Sequence, residues 1–180
     1  MGSCQQQLNF DLAHHGETNH RQALQNKLPH GAWLNGAITE IFYPTQYVQA
    51  LTLALPALTQ FNHPDKWLAW ISPPKIARQL TLDENSINKT RILQIHPHPT
   101  TDGLWAVEKA LRSPTCGAVM SWVTDIDTNA MKRLEKAAIE GNTCGILFRP
   151  DSAFKKHSST ALRLKIEFSD DNGEAHLQLI

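Results

Sequence analysis

Residues 104–123 read Leu-Trp-Ala-Val-Glu-Lys-Ala-Leu-Arg-Ser-Pro-Thr-Cys-Gly-Ala-Val-Met-Ser-Trp-Val. Leu104, Val107 and Leu111 recur at three- and four-residue steps, which places them on one face of a helix. Lys109 and Arg112 fall in its last turn, where positive charge suits the helix dipole. Ser113-Pro114 ends the helix, because proline lacks an N–H donor and the residue before it avoids helical angles. Ala118–Val123 then runs on almost without alternation, as a strand covered on both faces does. The spacing predicts a helix, a sharp stop and a buried strand, with an exposed basic corner between them.

Working outward, the same unit repeats. Ala37–Tyr43 is rich in β-branched and aromatic residues and reads as a strand; Pro44-Thr45 breaks it, and a helix follows through Tyr47, Val48, Leu51, Leu55 and Leu58. Trp67–Ser72 is a short apolar strand, Pro73-Pro74 opens a short helix around Ile76 and Leu80, and Arg91–Ile95 is a third strand. Asp127 caps a helix with Met131, Leu134 and Ala138 on one face, which ends at Gly141-Asn142; Cys144–Pro150 is a fifth strand. Leu162, Leu164 and Ile166 alternate with Arg163, Lys165 and Glu167, a half-exposed strand, and Asn172-Gly173 turns it into a hairpin with His176–Ile180. Strands alternating with helices predict an α/β fold: a mostly parallel central sheet, helices on both faces, and the antiparallel C-terminal hairpin at one edge.

The chain has 180 residues, 41% of them hydrophobic, with five tryptophans, and suits a single domain over 33–180 after a flexible Gln/His-rich tail at 1–32. Seventeen basic residues balance seventeen acidic ones, which argues against a broad nucleic-acid surface. Cys4, Cys116 and Cys144 are an odd number without metal-site spacing and read as thiols of a reducing compartment. No apolar run is long enough to span a membrane, and the start lacks a secretory pattern, so the expected location is cytoplasmic.

Small-molecule chemistry finds no support. A phosphate loop after the first strand needs glycines to cradle phosphates and a lysine to meet them. Ile41–Ala50 has neither, and Tyr43, Pro44 and Tyr47 obstruct the place. His96-Pro97-His98-Pro99 reads as a polar connector, Asp125 and Asp127 as cap residues, and His14, His15, His20 and His30 as an undesigned cluster. No serine or cysteine has a nucleophile-elbow context. The reading is therefore no enzyme, no cofactor and no metal, with function on a surface.

Four pieces in order, Gly36–Ile41, Lys66–Pro73, Ala110–Ser113 with Val119–Trp122, and Glu140–Asn142 with Phe148–Pro150, resemble the SulA family of bacterial SOS cell-division inhibitors. The resemblance implies a RecA-like domain whose nucleotide site is lost. It implies binding to the tubulin-like GTPase FtsZ, suppression of its polymerisation and GTPase activity, and later removal by Lon protease. It carries FtsZ binding onto Ala110, Leu111, Arg112, Ser113, Pro114, Thr115 and Cys116, more weakly onto Lys66, Ile71 and Arg91, and Lon recognition onto Lys165, Ile166, Leu179 and Ile180. Two departures stand out: Pro114 replaces the family's usual glycine, and Arg78–Leu82 lacks the family's tryptophan. A homodimer is allowed. The alternative is an ImuA-like accessory protein of damage-induced mutagenesis, which is also RecA-related and also not an enzyme.

Overall fold

A computed structural model describes residues 33–44, 59–61, 63–75, 77, 89–98, 100–154, 160, 162–168 and 175–180. Its strands are β1 (Ile38–Tyr43), β2 (Trp67–Ile71), β3 (Ile92–Ile95), β4 (Cys116–Ser121), β5 (Cys144–Pro150), β6 (Leu162–Phe168) and β7 (Ala175–Leu179). Two helices, α1 (Thr100–Arg112) and α2 (Thr128–Gly141), flank β4 in the chain. The strands form one sheet in the order β3-β2-β4-β5-β1-β6-β7. Every pairing is parallel except β6 with β7, which is antiparallel at the edge.

From β3 to β4 and from β4 to β5 the chain steps the same way across the sheet. Right-handed crossovers then put α1 and α2 on one face. There they bury Val107, Leu111, Met131, Leu134 and Ala138 against Ile38, Ala69, Ile71, Val119 and Leu147. Each of the larger side chains contributes about 1.5–3 kcal/mol by leaving water. On the other face Trp33, Phe61 and Ala77 join Trp70, Met120, Trp122 and Phe148. Trp122 stacks on Phe148 at 4.9 Å and meets Trp70 at 5.8 Å. The helices read from the sequence at 45–58 and around Ile76 and Leu80 fall mainly on residues outside the described ones, as do the tail and Asn172-Gly173.

The alternation at Leu162, Leu164 and Ile166 holds, with all three buried. Two boundaries differ from the sequence reading by more than one residue. The central strand runs 116–121, two residues earlier than 118–123. Pairing begins at the turn itself, where Trp67 N donates to Thr115 O (2.8 Å), and the ladder stops where Val123 N turns to the Ser121 hydroxyl (3.2 Å). Helix α1 starts at Thr100, because its first turn is polar and leaves no mark in the apolar periodicity.

Asp127 caps α2 as read, accepting from Ala130 N at 2.7 Å. At the other end the left-handed residue is Asn142, φ 49°, and not Gly141. Cys116 and Cys144 are free and buried, and burial pushes the Cys144 thiol up to about 12. The thiolate is the reactive form, so neither cysteine is expected to react with a thiol reagent at pH 8 while the protein is folded. Peptide mass analysis should find both labelled in urea; native labelling within minutes would contradict this packing.

Candidate protein-docking corner

Because the strands are parallel, the sheet has two unlike ends. Residues 110–116 lie at the amino end, where α1 stops and β4 begins. The place a phosphate loop would occupy follows β1 at the carboxyl end; Tyr43 and Pro44 are described there, and 45–50 are not. At that same carboxyl end His96 and His98 are exposed, as the connector reading expects.

The corner is a tight turn with its polar groups spoken for. Ser113 N donates to Ala110 O (3.1 Å) and Cys116 N to Ser113 O (3.1 Å). The Ser113 and Thr115 hydroxyls pair at 2.8 Å. Lys66 Nζ reaches across to Pro114 O, so the residue before β2 ties the turn from the side. Beside it the Arg91 guanidinium lies over the Trp67 ring at 5.2 Å.

The residues singled out by resemblance divide by burial. Pro114 and Thr115 are exposed, and Arg112 and Ser113 half-exposed. Ala110, Leu111 and Cys116 are buried and hold the turn's two ends in the core. Lys66 and Arg91 stand at the same sheet end as the turn. Ile71 is fully buried at the opposite end of β2. Lys165 and Ile166 sit on β6, the first half-exposed and the second buried, while Leu179 at the end of the edge strand and Ile180 just past it are exposed.

The charge of the corner differs from the basic surface read in the sequence. Arg112 is held by Glu108, one turn back on α1, and by Glu140 Oε2 on α2 at 2.7 Å. Hydrogen bonds from Arg112 hold the Glu140 carboxyl below its usual range, and those carboxylates raise the guanidinium. Arg133 and Lys136 extend the ladder to the same two acids. The face beside the turn is an interlocked pattern of both signs, and the shape of 113–115 is its distinguishing feature.

Sequence reasoning missed Glu40. This carboxylate is fully buried in β1. Oε1 accepts from Arg149 Nη1, and Oε2 from the Thr160 hydroxyl (2.7 Å) and Arg163 Nε (3.1 Å). Arg149 Nη2 also bonds the carbonyls of Thr124 (3.3 Å) and Ile126 (3.4 Å). Arg163 lies over the Phe42 and Phe154 rings at 4.8 and 5.0 Å. The available signal was one acid and one base, each inside an otherwise apolar strand.

Among the described residues no group of three His, Cys, Asp or Glu is placed to hold a metal ion. Among the described residues no helix is long and apolar enough to cross a membrane.

Residues 36–145, which include the corner, Lys66 and Arg91, match the family described as "Cell division inhibitor SulA". The chain belongs to the SulA family. Relatives named Cell division inhibitor SulA agree: that of Yersinia enterocolitica is 30% identical over 138 residues, covering 75% of this chain and 80% of its own. That of Pectobacterium atrosepticum is 31% identical over 145 residues, covering 78% and 84%. The crystal structure of SulA from Pseudomonas aeruginosa aligns with a TM-score of 0.53 and 25% identity, over 62% of this chain and 97% of that one. The SulA match ends at Gly145, so Lys165, Ile166, Leu179 and Ile180 lie beyond it.

Proposed function

We propose that this chain is an SOS-induced inhibitor of cell division that binds FtsZ in the cytoplasm and blocks its polymerisation and GTPase activity, halting septum formation after DNA damage. It acts stoichiometrically, catalyses nothing itself, and is removed by Lon protease through its C-terminal strands. The same reading takes the fold as a RecA-like domain that has given up its nucleotide site, with function moved to the other end of the sheet. One observation carries most weight: within the family-matched residues, the turn 113–115 is exposed and internally bonded, ready to dock without first being ordered. Pre-ordering of this kind raises affinity by lowering the entropy lost on binding.

Titrating the protein into FtsZ should suppress GTP turnover in proportion to the amount added. No suppression at several-fold excess would dismiss the proposal. The turn is tested best at Thr115. Arg112→Glu would set three carboxylates together and disturb α1 and α2 as well as the surface. Thr115→Arg adds bulk to an exposed position and is expected to weaken suppression about tenfold, or about 1.4 kcal/mol, at unchanged melting temperature. Full suppression by that variant would move the docking surface elsewhere.

A further inference from the structure

The turn is moulded from behind by the end of α2. Glu140 holds Arg112 on one side of it. Gly141 lies against the end of α1, where a Cβ would come within 1.9 Å of Leu111 O and 3.0 Å of the Arg112 carbonyl carbon. The left-handed Asn142 then bends the chain inward, and its N–H closes back on Ile139 O at 3.2 Å. Thr143 follows, fully buried, and its hydroxyl faces Cys116 O at 3.3 Å and Gly141 O at 3.1 Å. The two ends of the turn, Leu111-Arg112 and Cys116, are therefore gripped by four consecutive residues, 140–143, at the end of α2 and just past it.

We infer that Gly141 and Thr143 are positioning residues of the docking surface, setting the shape of 112–116. The biological meaning of this rests on the FtsZ reading; the geometry does not. A fully buried Thr143 side chain cannot touch a partner, so any effect it has on binding passes through the turn. The hydroxyl has one proton to share between Gly141 O and Cys116 O. Without it the link between the end of α2 and the start of β4 is lost, and a buried carbonyl deprived of a donor is costly. A loosened turn must then be ordered when the partner arrives.

Thr143→Val keeps the shape and removes the donor, and Thr143→Ser keeps the donor. Amide hydrogen exchange on the free protein and half-suppression of FtsZ GTPase read the two consequences. Thr143→Val should speed exchange at Thr115 and Cys116 about tenfold relative to β5, and should raise the half-suppressing concentration about tenfold; Thr143→Ser should restore both. Unchanged exchange at the turn, a uniform rise across the sheet, or faster exchange with unchanged suppression would each overturn the inference. Failure of the wild-type protein to suppress FtsZ would remove the FtsZ reading alone, because the exchange measurement still decides whether Thr143 sets the turn.

Discussion

Glu40→Ala is expected to cost about 3–5 kcal/mol of stability, the range for removing one member of a buried ion pair. Arg149 is 1% exposed and would be left charged in the core without its carboxylate. Arg163 and Thr160 would lose the same acceptor. The loss should spread beyond β1, because Arg149 also holds the Thr124 and Ile126 carbonyls in the loop leading into α2. For a chain of this size that corresponds to a fall of about 10 °C in melting temperature. The informative comparison is the double variant Glu40→Leu with Arg149→Met. Replacing a buried pair by apolar groups of similar volume is often neutral or better. The double variant should therefore recover part of the loss, the remainder reflecting the bonds to Thr160, Arg163 and the Thr124 and Ile126 carbonyls that it does not restore. Urea unfolding of the three proteins measures this. A single-variant loss under about 1 kcal/mol would mean the charge is compensated some other way.

Gly141→Ala should also destabilise, and here the sign alone is diagnostic. In an open helix this change stabilises by about 1 kcal/mol, because alanine is the better helix former. Gly141 does not have positive φ, so conformational freedom is not its purpose. Its purpose is space: the added methyl would meet the Leu111 carbonyl oxygen at 1.9 Å, a backbone atom that cannot swing aside. Helices α1 and α2 must part, with Leu111 and Ala138 in the core between helices and sheet. Overpacking of this sort costs about 1–3 kcal/mol, so the net change should be destabilising and should displace the corner. A chemical denaturation midpoint equal to or above the wild type would show that the helices yield freely. Thr115→Arg serves as the control that alters the surface without parting the helices.

The strands were legible where a run of residues faces apolar neighbours on both sides. Ile38–Tyr43, Trp67–Ile71 and Cys144–Pro150 carry that mark, and the Leu162–Ile166 alternation marks a strand with one face less deeply covered. The capping role of Asp127 was legible because a cap is a local contact, three residues long. What failed to show was everything made by distant residues. Arg112 looked like an exposed cation because Glu140, its partner, is 28 residues away. The Glu108 contact, at four-residue spacing on the same helix, is the one part of this network that local sequence carries. Gly141 does end its helix, as the sequence indicates, but nothing local says that another helix's backbone lies against it. Ile71 is a weaker FtsZ-binding candidate by resemblance, and the Trp67–Ile71 run points to the buried strand position at which it lies.

Glu40 has one further consequence, in time. Its partners follow it by 109, 120 and 123 residues along the chain. During synthesis the carboxylate emerges from the ribosome on the order of ten seconds before Arg163 exists to meet it. Until then β1 lacks both its neighbours, β5 and β6. A chain cut short before Arg149 carries a buried carboxylate without its Arg149 partner, so the sheet closes around β1 only after β5 and β6 have been made. Products truncated before Arg149 should therefore be cleaved by protease at β1, where the longer chain is protected.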